Sequence, residues 1–280
     1  MSLVAADNDP LYARLVKGRR LAVVGPARTL QGKRQGPLID SFDLIVRFNE
    51  AWDVVGPGSP WATDYGIRTD VVYANQVILR TQLQSAASRQ RLLDLCTARE
   101  LKYIVCTNNS GSYTGSGDPT SVCPAADAHV CRELSAWLAD EGRATRCRVA
   151  TTVPALLRRW MGGQVPRTGF VGMIELMLFD AARVYITGAT LYHEGGHILA
   201  DEAEVMHPQK NRNGSWAHDR TGVGHDSYLE CEILRTLTRG FRARVGVDED
   251  LLKILGYTTA PDLWPAETHT SSASSTTAQS

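Results

Sequence analysis

The sequence lacks a long apolar run, an excess of charge of either sign and any CxxC motif. No apolar run in its 280 residues is long enough to span a bilayer. The N-terminus also lacks the basic start and the long apolar core of a secretory signal peptide. Thirty basic residues balance thirty acidic ones, so no overall field favours nucleic acid or an anionic membrane as a partner. These absences lead us to expect a cytoplasmic protein with no membrane span and no nucleic-acid partner.

The cysteines are scattered along the chain rather than paired in a motif. In a chain of this size without a secretory signal, free thiols are more usual than a disulfide framework or a zinc ribbon. We therefore expect six free thiols, at Cys96, Cys106, Cys123, Cys131, Cys147 and Cys231.

The chain alternates apolar strand-like runs with helical patterns, which is typical of an α/β layer fold. With 43% hydrophobic and 21% charged residues, it can bury a large core. We expect a single domain over residues 1–265, followed by a disordered low-complexity tail at 266–280. Strands are predicted at 21–24, 44–48, 69–73, 103–107, 148–150 and 183–187, and the longer helices at 77–99, 124–140, 152–161, 169–182, 226–238 and 249–255.

The stretch from residue 21 to residue 49 is the most informative part of the chain. Its first strand stops at Gly25, and such a turn lets backbone N–H groups and a helix N-terminus approach an anion closely. The second strand delivers Arg47 and Asn49 toward the same edge of the sheet, and a later strand ends in a similar turn at Gly188. Nucleotide phosphates bind at such turns, although an ordinary βαβ unit without a ligand has the same pattern.

Two further segments place polar groups at the start of helices. In the segment PRTG at 166–169, Thr168 can cap the following apolar helix, and the N–H groups around Gly169 can hold a phosphate or a base carbonyl. His225 lies at the N-terminal edge of another helix, one turn before Glu230. The positive end of the helix dipole favours the neutral imidazole that a general base needs. The simpler alternatives are a capped helix and a histidine that only caps and packs.

Three segments in this order resemble the motifs of the eukaryotic-type sialyltransferases, glycosyltransferase family 29. The long motif is similar to LAVVGPARTLQGKRQGPLIDSFDLIVRFN, the short motif to PRTGFVGMIELMLFDAARVYITG and the very short motif to RTGVGHDSYLE. A weaker stretch, DYGIRT at residues 64–69, also resembles the family. The resemblance extends over about residues 20–238. It implies an α/β fold with a Rossmann-like, mostly parallel sheet flanked by helices, in a GT-A-type variant.

The resemblance implies an inverting glycosyltransferase that needs neither a metal nor a cofactor. It would move a sialic acid or a related acid sugar (Kdn, Kdo) from its CMP conjugate to a hydroxyl of a glycan or glycoconjugate acceptor. By the same resemblance, His225 is the general base, and Asn49 contacts the nucleotide. Thr168 and Gly169 would hold the phosphate or the cytidine. The candidates for stabilising the departing phosphate are Arg28, Arg47 and Arg167.

The chain departs from the family at several positions. The family has Asn and Ser after the Val-Val-Gly turn, where this chain has Pro26 and Ala27, so one expected donor contact is missing or supplied elsewhere. The motif cysteines that form a disulfide in Golgi members are absent, with Leu21 and Phe179 near their positions, which fits a cytoplasmic relative. The third family motif has no clear counterpart, and its region contains four histidines: His193, His197, His207 and His218.

Two other functions are compatible with parts of the sequence. His193 and His197 form an HExxH pattern, in which two histidines one helical turn apart bind zinc and the glutamate activates water. That geometry requires a helix, which the two glycines at 195–196 oppose, and Ala203 stands where a third histidine would follow. The other possibility, suggested by Pro26, is a nucleotide-binding homologue that has lost catalysis.

Overall fold

The computed structural model describes residues 9–49, 51, 55–98, 100–107, 124–191, 193 and 226–257. Within these ranges the chain forms a sheet of seven parallel strands in the order β5-β4-β3-β2-β1-β6-β7. The strands are β1 (Arg20–Val24), β2 (Leu44–Phe48), β3 (Val71–Asn75), β4 (Tyr103–Thr107), β5 (Arg146–Ala150), β6 (Arg183–Thr187) and β7 (Val245–Val247). The strand order reverses between β1 and β6, which is the place where open α/β sheets bind ligands at the carboxyl ends of their strands.

Helices cover both faces of this sheet. They are α1 (Pro10–Val16), α2 (Gly36–Asp40), α3 (Ala62–Tyr65), α4 (Gln76–Gln84), α5 (Ala86–Ala98), α6 (Pro124–Asp140), α7 (Thr152–Trp160), α8 (Thr168–Leu178), α9 (Ser227–Gly240) and α10 (Glu249–Ile254). Helices α1 and α7 to α10 enclose the largest buried cluster on one face. On the other face, α4 to α6 pack over β3 and β4, and α2 and α3 pack over β1 and β2. Among the described helices, none has the length and apolarity that crossing a membrane would require.

Helix α8 fixes the geometry at the carboxyl edge of the sheet. It is buried along almost its whole length and packs against β2, β3 and β6. Gly172 permits this close approach, because a Cβ there would lie 2.6 Å from Phe48 Cε1 and 3.1 Å from Tyr73 Cγ. Since α8 runs antiparallel to the strands, its N-terminus lies where the strands end. The packing of Gly172 therefore determines where that N-terminus is placed.

A buried ionic network lies under α8 and connects it to α1, β3 and β5. Arg148 donates to Glu175 Oε2, Tyr73 donates to the same oxygen, and the hydroxyls of Tyr73 and Tyr12 are 2.8 Å apart. The Arg148 guanidinium also lies 4.1 Å from the centre of the Tyr12 ring. Burial, and next the Glu175 carboxylate, raises the pKa of Tyr73 well above its ordinary value, so its hydroxyl stays protonated and can donate. The network satisfies a carboxylate that would otherwise be buried at high cost.

The predicted α/β class is confirmed, and most predicted elements are present. Four have the predicted bounds, at 44–48, 103–107, 124–140 and 183–187. The prediction of one helix over 77–99 is wrong, because Ser85 has extended backbone (φ −131°, ψ 153°) between α4 and α5. Helix α1 and strand β7 were not predicted, since seven and three residues are too few to show a clear period. The predicted tail at 266–280 lies outside the described residues.

We expect Glu175→Ala to lower the free energy of unfolding by about 3–5 kcal/mol, because it leaves the Arg148 guanidinium buried without its carboxylate. Urea unfolding followed by circular dichroism measures the change. The matched control is Asp180→Ala, which removes an exposed pair with Lys17 and should cost less than about 1 kcal/mol. Equal losses in the two variants would show that the network does not stabilise the core.

Candidate functional site

The carboxyl ends of β2, β3 and β4 meet the N-terminus of α8 at one edge of the sheet. Asn49 follows β2, Asn75 ends β3, and the sheet register pairs Asn75 with Thr107 at the end of β4. Thr107 Oγ1 donates to Thr168 Oγ1 over 3.0 Å at the first position of α8. Gly169 packs against the ring of Phe48, the residue before Asn49. The structure therefore places three of the predicted site residues, Asn49, Thr168 and Gly169, at the same edge of the sheet.

Asn49 is held in an orientation that leaves its amide NH₂ group for a ligand. Its backbone is left-handed (φ +47°), which asparagine tolerates better than most residues. Its N–H donates to Tyr73 O over 2.7 Å, and its Oδ1 accepts from Asn75 N over 3.2 Å. Because the acceptor oxygen is engaged by a backbone N–H, the donor half of the amide is the half that can meet an anion or a base carbonyl.

Asn75 was not predicted as a site residue. Its Oδ1 accepts from Ile78 N over 3.0 Å and caps α4, and its own N–H orients Asn49. The available signal was an asparagine at the carboxyl end of a strand, the same signal that identified Asn49. It was missed because the predicted strand ended at Tyr73, whereas β3 continues to Asn75.

The N-terminus of α8 has the electrostatic character of an anion site. Its N-cap residue, Arg167, makes no side-chain capping bond, and no acidic residue lies in the first turn. An eleven-residue helix carries the partial positive charge of its dipole at this end. The helix start at Thr168 and Gly169 thus faces the same edge as Asn49, and together they can bind a phosphate or a similar anion.

Arg167 forms a buried ion pair with Glu230. Its Nη1 donates to Glu230 Oε2 over 2.7 Å, and its backbone N–H donates to Oε1 over 2.9 Å. Both side chains are buried. The pair ties the start of α8 to the first turn of α9, which Asp226 caps by accepting from Leu229 N over 2.9 Å. The guanidinium predicted to hold a phosphate is therefore directed to a carboxylate and joins two helices.

The turn after β1 does not have the donors predicted for it. Gly25 N–H donates to Thr187 O over 2.8 Å, Ala27 N–H donates to Gly188 O over 2.9 Å, and Pro26 has no N–H. Gly188 N–H donates to Asp248 Oδ2 over 2.7 Å. The phosphate contact predicted through the N–H groups of Gly25 and Gly188 is thus corrected, because these groups bond within the protein.

Close backbone packing explains why glycine occupies these two positions. A Cβ at Gly25 would collide with the carbonyl oxygen of Gly188. Gly188 has φ +62°, and a Cβ there would lie 2.6 Å from Leu30 Cδ1. The close backbone contact between Gly25 and Gly188 holds β1 and β6 together at the point where the strand order reverses. The pattern of a strand ending at glycine was correctly located, but its cause is packing.

Arg47 is also directed into the protein. Its side chain is 1% exposed and donates to the carbonyl oxygens of Tyr65 (2.7 Å) and Arg68 (3.0 Å) and to Thr69 Oγ1 (3.1 Å). It therefore fastens the family-like stretch at 64–69 to β2, and the predicted contact with a departing phosphate is corrected to this packing role. Arg28 lies partly buried in a single 3₁₀ turn, Arg28–Leu30, just after the crossing at Gly25.

His225, the predicted general base, lies outside the described residues, as do His197, His207 and His218. Of the four histidines considered for the third family motif, only His193 is described. It lies in a turn, where its N–H donates to Thr190 O over 2.9 Å, and not in a helix. In the part of the chain that the structure describes, no group of three or more His, Cys, Asp or Glu side chains could hold a metal ion.

Five of the six cysteines are described, and all five are free. They are Cys96, Cys106, Cys131, Cys147 and Cys231. For these five the expectation of free thiols is confirmed, and Cys123 lies outside the described residues. Burial, and next the charge of Glu230, raises the pKa of the Cys231 thiol to about 12, so this group stays protonated near neutral pH.

The family model and the similar curated proteins all point to sialyltransferases. Residues 8–110 match the model of glycosyltransferase family 29 (sialyltransferase). The chain is 26% identical over 251 residues to a CMP-N-acetylneuraminate-beta-galactosamide-alpha-2,3-sialyltransferase 1 of Sus scrofa, covering 87% of this chain and 62% of that protein. It is 32% identical over 117 residues to the sialyltransferase-like protein 3 of Oryza sativa subsp. indica, covering 37% of this chain and 29% of the relative. The chain thus spans less than two thirds of the length of these relatives.

A solved structure supports the fold. The monofunctional alpha-2,3-sialyltransferase Cst-I from Campylobacter jejuni superposes with a TM-score of 0.50 at 12% identity, covering 84% of this chain and 78% of that one. At this identity the similarity speaks for the arrangement of strands and helices alone. The family match over residues 8–110 and the three motifs in family order show that this chain is similar to the sialyltransferases of glycosyltransferase family 29.

Proposed function

We propose that this protein transfers a sialic acid or a related acid sugar (Kdn, Kdo) from its CMP conjugate to a hydroxyl of a glycan acceptor. The observation that carries the proposal is that the Asn49 amide and the N-terminus of α8 both lie at the carboxyl edge of the sheet, where Gly169 packs against Phe48, the residue before Asn49. This arrangement offers neutral donors and a helix dipole to an anion, which suits the phosphate of a nucleoside monophosphate. The Sus scrofa relative is named for a CMP-N-acetylneuraminate donor.

We infer a single displacement that inverts the anomeric carbon. The acceptor oxygen forms a bond to that carbon while the bond to the CMP oxygen breaks, and the electron pair of that bond leaves on the phosphate. In this proposal His225, which directly precedes the N-cap residue of α9 in the sequence, takes the proton of the acceptor hydroxyl. The start of α8 and the Asn49 amide stabilise the leaving phosphate, so the proposed reaction needs neither a metal nor another cofactor.

The Arg167–Glu230 pair has a positioning role in this proposal. Glu230 lies five residues after His225, and Arg167 directly precedes the helix start that would hold the phosphate. A rigid connection between the two would keep the base and the leaving group at a fixed separation, which the single displacement requires. From the sequence alone, we further propose that the acceptor contacts the two most irregular segments, 108–120 and 189–224, and that the protein is cytoplasmic.

Asn49 allows a test of donor binding that separates side chain from backbone. Asn49→Gly keeps the left-handed backbone and removes the amide, and we expect it to raise the Kd for CMP about tenfold or more, because hydrogen bonds to a charged phosphate are lost. Asn49→Asp keeps an oxygen for Asn75 N–H but places a negative charge at the site, so it should weaken CMP binding further. Isothermal titration calorimetry measures both affinities.

The stability of these variants serves as their control. Urea unfolding should show Asn49→Gly within about 1 kcal/mol of the unmodified protein, because the backbone conformation is one that glycine adopts freely. Unchanged CMP affinity in Asn49→Asp would contradict the proposed nucleotide site.

His225→Ala tests the general base and separates the enzyme from the two alternatives. We expect CMP release from CMP-sugars in the presence of acceptor to fall by about 10²-fold or more, because proton transfer is lost. The affinity for CMP should change less than about twofold, because the base does not hold the nucleotide in this proposal.

Transfer at the original rate would refute His225 as the base, and the absence of CMP release from any CMP-sugar by the unmodified protein would support the inactive homologue. Stoichiometric zinc by elemental analysis, with activity lost on chelation, would favour the HExxH protease.

Glu230 tests the connection between α8 and α9. Glu230→Ala leaves the Arg167 guanidinium buried without its partner and should cost about 3–5 kcal/mol of unfolding free energy. Glu230→Gln keeps an oxygen for the Arg167 N–H, so it should fold better, while a lower kcat than that of the unmodified protein is expected from a looser helix start. The matched control on the same helix is Glu232→Ala, whose exposed pair with Arg235 should contribute less than about 1 kcal/mol. A Glu230→Gln enzyme with unchanged kcat would remove the positioning role.

A further inference from the structure

His193, which has no part in the mechanism above, contacts the first turn of α9. Its Nε2 lies 3.3 Å from Ser227 O and 3.2 Å from Cys231 Sγ, two groups one helical turn apart. Its ring meets the ring of Tyr228 edge-on, with centroids 5.3 Å apart and planes at 87°. The imidazole therefore touches three residues within the first five of the helix.

The chemistry of these neighbours indicates which tautomer makes the contact. Ser227 O can only accept a hydrogen bond, so Nε2 must carry a proton to bond with it. The Cys231 thiol is buried and protonated, and its sulfur can share the same N–H as a weak acceptor. An imidazole with a proton on Nε2 thus satisfies both contacts, and its ring edge packs on Tyr228 at a favourable aromatic geometry.

His193 connects two elements that are distant in the chain, strand β6 and the first turn of α9. His193 follows β6 by six residues and is held there by its N–H bond to Thr190 O. It therefore links the carboxyl end of β6 to Ser227 and Cys231. The same turn of α9 is fastened from the α8 side by the bond of Glu230 to Arg167. The first turn of α9 is thus held from two directions.

We propose that His193 is a positioning residue that fixes the first turn of α9 and, through it, the neighbouring position 225. The second half of this proposal rests on the proposed function, in which His225 is the base. The first half, that the imidazole holds the helix start, stands on the contacts alone. His193 touches neither substrate in this proposal, so its effect should appear in the rate of transfer and in the dynamics of α9, and not in the binding of CMP.

The test compares His193→Phe with His193→Gln. Phenylalanine keeps an aromatic ring against Tyr228 but has no donor, whereas glutamine places an amide N–H at a reach similar to Nε2. In His193→Phe we expect the amides of α9 near Leu229 and Glu230 to exchange about three- to tenfold faster, as the loss of one hydrogen bond implies. We also expect kcat to fall about tenfold or more with the Kd for CMP unchanged within about twofold. His193→Gln should restore both properties toward those of the unmodified protein.

The matched control is His129→Phe, at an exposed position on α6 that pairs only loosely with Glu133. It should leave both the exchange of α9 and the kinetics unchanged. Unchanged exchange in His193→Phe would overturn the first half of the proposal, and faster exchange with unchanged kcat would overturn the second. If the unmodified protein released no CMP from any CMP-sugar, the proposed function would fail by itself, and the exchange measurement would still decide whether His193 holds the helix.

Discussion

The buried pair between Arg167 and Glu230 connects the two helix starts on which the candidate site depends. Arg167 immediately precedes α8, and Glu230 lies in the first turn of α9, so one carboxylate sets the distance between two segments that are 63 positions apart in the chain. A surface pair could not do this, because solvent screening and side-chain entropy would leave it loose. Burial makes the connection rigid, and removing either partner would leave an unpaired charge in a dry environment.

Other buried carboxylates also join distant parts of the chain where helices cover the sheet. The charged group of Glu175 is paired with Arg148 and bonded by Tyr73, and Asp248 accepts from Gly188 N, Thr187 Oγ1 and Leu251 N. Each of these carboxylates joins elements that are distant in sequence. Their charge-assisted hydrogen bonds are strong and directional, so they fix the position of each helix on the sheet. Apolar contact alone is not directional and would fix these positions less exactly.

The sequence was sufficient for the class of fold and for the edge of the sheet at which the candidate site residues lie, but not for the hydrogen bonds that these residues make. Strands β2 and β4 are buried at all five positions and β6 at three of five because helices cover both faces of the sheet, so short, mostly apolar runs located these strands well. Asn49, Thr168 and Gly169 lie at the same edge of the sheet, because parallel strands end there and α8 begins there. The partners of Arg47 and Arg167 were not predictable, because guanidinium groups bond to phosphates and to buried carbonyls or carboxylates with similar geometry. Only the tertiary structure shows which partner is present.

The turn at Gly25 shows how this ambiguity changes the account of donor binding. Its position at the reversal of strand order is where a phosphate-binding turn would be sought, and a glycine is present for close approach. The close approach is to Gly188 instead, and the N–H groups of Gly25 and Ala27 are bonded to the end of β6. The carbonyl oxygen of Ala27 in turn accepts from the Tyr65 hydroxyl over 2.5 Å.

With Pro26 between them, this turn has no backbone donor left at positions 25 to 27. Among the described residues, the groups proposed to hold a phosphate at this edge are therefore those across the sheet, at Asn49 and at the start of α8. Because Pro26 and Ala27 replace the residues usual in the family, fewer hydrogen-bond donors remain at this edge to bind a phosphate. Asn75 orients the Asn49 amide, and Arg167 anchors the start of α8. The positions of these phosphate-binding groups therefore depend on contacts outside the proposed nucleotide site.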